Sequence, residues 1–164
     1  MRGNVPATMK ALVAYSAADY RFEQAFPVPE CGPDDIIIKT EGCGICAGDL
    51  KCQHGAAMFW GDESQPSWVE PPFVPGHEFL GRIAGLGDNV KGYELGERIT
   101  VDQIAPCGEC RFCSDGRYWM CQPHKMYGFF KDFCGGMAEC KDPDQARQNP
   151  PGSGCHGAHR RAAH

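Results

Sequence analysis

The 164-residue sequence lacks a long hydrophobic run, since no apolar stretch approaches the roughly 18 residues that a membrane helix needs. It also lacks a basic excess, because 21 acidic residues outnumber 16 basic ones and the formal net charge is −5. Nucleic acids and anionic membrane surfaces attract basic patches, so we predict neither as a partner. The first residues contain no continuous apolar segment before a cleavage site. We therefore read no signal peptide and expect a cytoplasmic protein.

Repeats and long helical periods are scarce as well. No segment recurs with the 20- to 50-residue period of solenoid folds. Short β-rich segments bounded by turn residues predict strands over residues 9–15, 19–26, 35–40, 77–86 and 98–104, and one helix starts near residues 48–54. Many short strands joined by turns predict a mainly β protein with a small irregular β-barrel.

Cysteine, in contrast, is abundant. Eleven cysteines in a reducing compartment, in an odd number, fit a disulfide framework poorly. Four of them form the spacing Cys-x2-Cys-x2-Cys-x7-Cys: Cys107, Cys110, Cys113 and Cys121. Thiolates two residues apart can turn inward on a tight loop, and four of them saturate a tetrahedral zinc ion with no place for water or substrate. This spacing predicts a structural zinc site.

Other uses of these cysteines stay open at this point. An iron–sulfur cluster also takes four cysteines, although the long last gap and the missing proline disfavour it. A redox-active dithiol would need only one Cys-x2-Cys unit. Cys43 and Cys46 could join Cys107 and Cys110 in a zinc ribbon. The gap between those two pairs far exceeds the roughly 15–20 residues that are usual for a ribbon.

A second, sparser group of residues has the composition of an open metal site. Cys46 would supply a thiolate, His77 an imidazole and Glu78 a carboxylate. Asp49 could orient the histidine by accepting a hydrogen bond from its other nitrogen. Taken alone, a histidine beside a glutamate is more often an ordinary polar pair. Only the combination with the other motifs makes a metal site the better interpretation.

The order of the motifs resembles one family. The pattern GxGICxxD is followed by PGHExxGxxxxxGxxVxxxxxGxRxxV and then by the four-cysteine spacing. Together these resemble the N-terminal catalytic domain of the zinc-dependent medium-chain alcohol dehydrogenases. The resemblance implies a GroES-like irregular β-barrel over residues 9–139, with a four-cysteine zinc lobe and with residues 1–8 as an N-terminal extension.

The resemblance also implies a chemistry. A catalytic zinc would bind Cys46 and His77, with Glu78 close to the ion and Asp49 behind it, while the four later cysteines hold a structural zinc. The implied reaction oxidises a primary or secondary alcohol to a carbonyl through a zinc alkoxide and hydride transfer to NAD or NADP. The insert FWGDESQPSWVEPP and the segment RYWMC are similar to polyol and sugar-alcohol dehydrogenases, so a small alcohol or polyol is the expected substrate. A full-length form would also be a candidate homo-oligomer.

Two departures from the family pattern change the expectation. Gly48 stands where the family often has the Ser or Thr of a proton relay. No GxGxxG turn with flanking strand and helix is present, so we assign no cofactor-binding residue and expect NAD or NADP only in a full-length form. We therefore expect the 164-residue chain to be inactive by itself. The alternative is a zinc-binding module without catalysis or a truncation product.

The segment 140–164 differs in composition from the rest. It is rich in Pro, Gly, Ala, His and Arg and has no strand or helix period, which predicts disorder. A one-nucleotide shift within the codon of Cys140 permits a reading similar to the basic strand that the family has here. We interpret this segment as a frameshifted tail, a hypothesis that the DNA sequence would decide.

The segment between Cys46 and His77 contains several aromatic residues. Phe59, Trp60 and Trp68 lie in a connection that is longer than a simple loop requires. They could form the wall of a substrate cleft or cover an exposed edge of the barrel, and composition alone leaves both interpretations open.

Overall fold

The structure is a computed structural model that describes residues 1–141 and 158–160. Strands make up most of the regular structure in this part of the chain, and short helices and turns connect them. The strands are β1 (Arg2–Gly3), β2 (Thr8–Ser16), β3 (Asp19–Pro27), β4 (Ile36–Gly44), β5 (Glu78–Leu86), β6 (Arg98–Val101), β7 (Ile104–Ala105), β8 (Lys125–Met126), β9 (Cys140–Lys141) and β10 (Ala158–Arg160). The helices are α1 (Ala47–Gln53), α2 (Ala57–Trp60) and α3 (Arg111–Ser114), and a 3-10 turn covers Tyr118–Met120.

Four of the five predicted strands correspond to single strands, and the fifth does not. The segment predicted as one strand over residues 98–104 is two, because β6 ends at Val101 and β7 starts at Ile104. Asp102 causes the break, since its Oδ1 accepts the N–H of Ile104 at 3.0 Å and so turns the backbone out of the ladder. The predicted helix starts at Ala47. Helices α2 and α3 were not predicted because four residues are too few for a helical period.

Alternation of burial explains the strands that were predicted. In β2, Met9, Ala11 and Val13 are buried, while Thr8 and Lys10 on either side of Met9 are exposed. This is the two-residue period of a strand with one face on the core. β4 begins differently, with three consecutive buried isoleucines, Ile36, Ile37 and Ile38. A strand that is buried on both faces reads as a continuous apolar run.

The strands assemble into an irregular barrel, as predicted. The largest sheet has the order β10–β6–β5–β4–β9, β1 also pairs with β5, and β2 and β3 form a separate hairpin. Residues 137–139 join the hairpin to the sheet. On one side Leu12 donates to the Met137 carbonyl at 2.9 Å, and on the other Thr40 donates to the Glu139 carbonyl at 2.9 Å.

Three apolar clusters fill the interior. Ile38 packs into a cluster with Phe79 and Ile83, whereas its neighbour Ile37 packs with Met9 on the opposite face of β4. A third, largely aromatic cluster combines residues from β2, α1, α2, the loop after α2 and the segment after β8: Ala14, Cys52, Phe59, Val69, Phe73, Phe129 and Phe130. This third cluster packs α1 against β2 and the segment after β8, and His77 packs on its member Phe129, so the cluster determines where the residues of the candidate site lie.

Several sequence expectations concern absences or the C-terminal segment. In the part of the chain that the structure describes, neighbouring strands of each sheet pair in antiparallel fashion. No βαβ unit occurs among these residues. No helix among these residues is long and apolar enough to cross a membrane. The disorder and frameshift predicted for 140–164 fall mostly outside the described residues and stay predictions. Within that segment, β9 pairs with β4 and β10 pairs with β6.

Candidate functional site

Helix α1 positions the first residue of the candidate site. Cys46 is its N-cap, with the extended backbone that such a position needs, and its Sγ accepts the N–H of Gly48 at 3.1 Å. Asp49 completes a capping box, because its Oδ2 accepts the backbone N–H of Cys46 at 2.9 Å. These reciprocal bonds hold the sulfur at the start of the helix and place the Asp49 carboxylate beside it.

His77 comes from the other half of the barrel, in the residue that precedes β5. Its side chain is buried, and its Nε2 lies 3.2 Å from the Sγ of Cys46. Its Nδ1 lies 3.4 Å from Oδ1 of Asp49. The ring also packs on Phe129, with 5.2 Å between ring centroids. The structure thus brings together three residues that the sequence analysis named as one site.

The two nitrogens of His77 face different partners, which separates their roles. A carboxylate at Nδ1 favours a proton there and leaves the lone pair of Nε2 free toward Cys46. The Asp49 carboxylate raises the pKa of His77 despite the opposing effect of burial. Burial would raise the pKa of Asp49, but the facing His77 imidazole and the hydrogen bond from the Cys46 N–H hold this pKa below its ordinary value. Nδ1 and Oδ1 approach to 3.4 Å without good hydrogen-bond geometry, so this contact is weaker than the 2.9 Å bond from the Cys46 N–H to Oδ2.

This arrangement fits a divalent metal. The Sγ of Cys46, an Nε2 lone pair of His77 and a carboxylate are the donor types that zinc takes in open sites. Glu78 offers the carboxylate, with Oε1 3.9 Å from Nε2 of His77 and with 53% of its side chain exposed. Gly44 on the paired strand leaves room for it, because a Cβ there would lie 2.7 Å from Oε2 of Glu78. Asp49 accepts the Cys46 N–H through Oδ2 and points Oδ1 at Nδ1 of His77, which suits an orienting residue.

A cavity of about 420 Å³ opens beside His77. It is lined by Gly48, Met58, Phe59, Trp68, His77, His124, Met126 and Phe129. Two of the three predicted aromatic residues, Phe59 and Trp68, therefore lie on its wall. The third does not belong to this lining: the indole N–H of Trp60 donates to the Cys52 carbonyl at 2.6 Å, and its ring packs against Phe73.

Sequence reasoning missed several residues of this cavity wall. Met126 and Phe129 follow the last cysteine of the dense group and reach the cavity only through the fold. His124 carried one usable signal. It is the third residue after Cys121, so a metal bound there would also restrain its position. Nothing in the sequence indicates that this segment returns to His77.

The four-cysteine lobe, residues 107–121, has the geometry of a single-ion site. Sγ of Cys113 lies 3.9 Å from that of Cys107 and 3.6 Å from that of Cys110, and the four sulfurs all lie within 4.8 Å of one another. Tetrahedral zinc with bonds of about 2.3 Å places its sulfurs about 3.8 Å apart. An iron–sulfur cluster spreads its cysteine sulfurs over several irons and needs wider spacing, so one ion fits better.

Backbone N–H groups support the sulfurs of this lobe. Cys110 donates to Sγ of Cys107 at 3.3 Å, and Cys107 donates to Sγ of Cys121 at 3.2 Å. N–H groups of Gln122 and Cys113 lower the pKa of Cys110 to about 6. Burial raises the pKa of Cys113 and of Cys121, so a bound cation is needed for all four to be thiolates.

The zinc-ribbon alternative does not agree with the structure. The second cysteine of the proposed pair, Cys46, faces His77, and Cys43 packs against the core cluster that contains Phe79. Neither belongs to the group of sulfurs in the four-cysteine lobe. The two metal-binding groups are therefore separate.

Comparison with known proteins identifies relatives of this arrangement. Residues 32–145 match the family model of the alcohol dehydrogenase GroES-like domain. The chain is 48% identical over 141 residues to the erythritol/L-threitol dehydrogenase of Mycolicibacterium smegmatis, an alignment that covers 84% of this chain and 39% of that protein. The chain thus spans about two fifths of the length of this curated relative.

Two solved structures are similar to this chain. One is a dehydrogenase from Sinorhizobium meliloti 1021 that is described as zinc-binding and bound to NADP, with a TM-score of 0.70 and 32% identity. The alignment covers 87% of this chain and 38% of that one. The cobalt- and zinc-bound alcohol dehydrogenase of Pyrobaculum aerophilum has a TM-score of 0.66 and 26% identity, and the coverage is 83% and 39%.

Proposed function

We propose, because this chain belongs to the zinc-dependent medium-chain alcohol dehydrogenases, that residues 9–139 form the metal-binding catalytic domain of an enzyme that oxidises an alcohol or polyol to a carbonyl. One observation carries this proposal. Partly buried Cys46 and buried His77 meet in a cluster that opens onto a cavity of about 420 Å³. The erythritol/L-threitol dehydrogenase relative supports a polyol as substrate.

The metal ligands follow from the donor set. We assign zinc to Sγ of Cys46 and Nε2 of His77, with Glu78 as an outer third donor and Asp49 as the residue that positions His77. When bound, zinc supplies the Lewis acidity that lowers the pKa of a substrate hydroxyl, and NAD or NADP accepts the hydride. The geometry of the pair supports this assignment, because both nitrogens of His77 already have distinct partners.

The protein's own residues have three tasks around that centre. Asp49 holds the His77 ring and its Nδ1 proton, which keeps Nε2 available. Phe59, Trp68 and Phe129 line the cavity and exclude water from the reacting atoms. Gly48 has no hydroxyl, so a proton released by the substrate must leave through another group or directly to solvent.

The four cysteines of the lobe have a different proposed role. Four thiolates leave no open coordination position, so we propose that their zinc stabilises the fold and takes no part in the reaction. This closed site is also the observation that favours the second candidate, a zinc-binding module without catalysis, since its ligands are complete within residues 107–121.

Cofactor, location and assembly belong to the same proposal. No dinucleotide-binding βαβ unit lies among residues 1–141 and 158–160, so NAD or NADP binding is proposed only for a full-length form, and we expect no turnover from the 164-residue chain by itself. We propose a cytoplasmic location and a homo-oligomer for the full-length form. The boundaries 1–8, 9–139 and 140–164 remain our proposal for the domain organisation.

Counting metals and titrating cofactor test this proposal. Native mass spectrometry of zinc-loaded protein should show two ions, of which chelator removes the one at Cys46 and His77 first. An NADH titration followed by fluorescence should show no micromolar binding. If the protein instead binds a single ion, and the four lobe cysteines hold it, the result would favour the module without catalysis. These cysteines are Cys107, Cys110, Cys113 and Cys121. Alcohol oxidation by the 164-residue chain would contradict our proposal that the hydride acceptor binds elsewhere.

A further inference from the structure

His124 holds an unusual position on the wall of the cavity. Its φ is +48°, in the left-handed region that non-glycine residues seldom adopt. Its backbone N–H donates to the carbonyl of Cys121 at 3.1 Å. Because Cys121 belongs to the four-cysteine lobe, the lobe determines where His124 lies. The other non-glycine residue with positive φ in the described part of the chain is Ala18, which turns the hairpin between β2 and β3.

The rest of the cavity wall offers little hydrogen bonding. Met58, Phe59, Met126 and Phe129 are apolar, and Gly48 has no side chain. His77 already directs one nitrogen at Cys46 and the other at Asp49.

Two polar side-chain groups of the lining remain, the indole N–H of Trp68 and the imidazole of His124. The imidazole alone can both donate and accept. A few polar groups in an otherwise apolar pocket are what fixes the orientation of a bound ligand.

We infer that His124 is a specificity-determining residue that hydrogen-bonds a second hydroxyl of a polyol whose first hydroxyl lies at the Cys46–His77 site. This inference rests on the proposed function. It explains why a cavity with mainly apolar walls suits a polyol, since a hydroxyl distant from the metal then has a partner. It also gives the four-cysteine lobe a second effect, because folding of the lobe holds His124 at the cavity.

Paired alcohols test this inference through binding alone. Erythritol and 2-butanol share a four-carbon skeleton, but only erythritol has further hydroxyls. Each is titrated into the cobalt(II)-loaded chain, and the visible absorption of the metal reports binding. Native mass spectrometry first confirms two ions in every variant. The wild-type chain should bind erythritol more tightly than 2-butanol.

His124→Gly is the decisive variant, because glycine adopts φ near +48° without strain and so removes only the imidazole. It should weaken erythritol binding about five- to tenfold, the loss expected of one neutral hydrogen bond, and leave 2-butanol unchanged. His124→Asn, which tolerates the same backbone and keeps an amide, should recover part of the loss. His54→Gly, at an exposed histidine that ends α1, is the matched control and should change neither affinity.

The outcomes separate the two hypotheses. An equal loss for both alcohols in His124→Gly would show a merely structural role and overturn the inference, as would an unchanged erythritol affinity. A wild-type chain whose second metal responds to neither alcohol would instead overturn the proposed function, and the inference with it. If His124→Gly loses a metal ion, His124→Asn decides: a loss of affinity confined to erythritol supports the inference, and an equal loss for both alcohols overturns it.

Discussion

The four-cysteine lobe takes all its ligand atoms from residues 107–121, whereas Cys46 and His77 are separated by 31 residues along the chain. In the lobe, short turns and N–H···S contacts hold the sulfurs. At the Cys46–His77 site, a helix N-cap and the start of a strand meet because aromatic residues pack α1 against the rest of the barrel. A metal ion can therefore organise the lobe, while the barrel itself organises the other site. The first arrangement depends on metal and the second on packing.

The largest effect is expected from Cys110→Ser, which removes one ligand of the lobe. A structural zinc contributes its binding energy to folding, so the variant should lose one zinc ion and its thermal midpoint should fall by about 10 °C or more. Native mass spectrometry and a thermal melt measure both. Cys31→Ser is the control, because Cys31 belongs to neither metal-binding group and its Sγ donates to the backbone carbonyls of Gly32 and Asp35. Full zinc retention in Cys110→Ser would refute the four-cysteine assignment.

His77→Ala should separate metal binding from folding at the second site. Removing Nε2 deletes a ligand, so affinity for the second ion should fall more than about 100-fold, beyond the 10- to 100-fold typical of supporting residues. The lobe should keep its zinc, and the far-UV circular dichroism should stay that of the wild type. His54→Ala serves as the control histidine. If His77→Ala lost both ions, the lobe and the Cys46–His77 site would form one cooperative unit, which would contradict their separation.

Asp49→Asn should weaken the same site by an intermediate amount, about 10- to 100-fold. The asparagine oxygen can still accept the Cys46 N–H, but its amide nitrogen would then face Nδ1 of His77. A donor there forces the ring proton to Nε2, which blocks the metal-binding lone pair. Competition with a chelator measures the affinity. Asp88→Asn removes an exposed charge and should have no effect; a normal affinity in Asp49→Asn would remove Asp49 from the site.

Glu78→Gln should have the smallest effect, a few-fold loss of affinity for the second ion. Its carboxylate is half exposed and 3.9 Å from Nε2 of His77, so water screens its charge and competes with it. The same chelator competition gives the value, and Glu63→Gln, an exposed carboxylate of the neighbouring loop, is the control. A loss of affinity as large as that of His77→Ala would contradict this expectation and would make Glu78 a full ligand of the second ion.

Local spacing accounts for the part of the site that was predictable. Sulfurs two residues apart on a turn have few possible separations, so the lobe could be assigned from Cys107, Cys110 and Cys113 before any fold was known. Asp49 lies three residues after Cys46, within reach of a capping box, and the structure has that box. Membership in the family added His77 to this local pattern, since its distance from Cys46 along the chain carries no geometry.

Packing accounts for the part that was not predictable. Trp60 and Trp68 look alike in the sequence, yet one donates to the Cys52 carbonyl and the other lines the cavity. His124 follows a cysteine that belongs to the lobe, yet it lies on the wall beside His77. Composition does not separate these outcomes, because each depends on which segments fill the space around the aromatic cluster.

The sequence by itself therefore determined the strands β2 to β5, the start of α1 and the four-cysteine lobe, all of which depend on patterns among residues a few positions apart. Only the tertiary structure decided that residues 137–139 join the hairpin to the sheet, that Asp49 faces Nδ1 and leaves Nε2 toward Cys46, and that His124 reaches the cavity. The physical reason is the range of the interactions. Backbone geometry restricts distances over a few residues, whereas contacts across the barrel exist only once the apolar faces of several strands have been buried together.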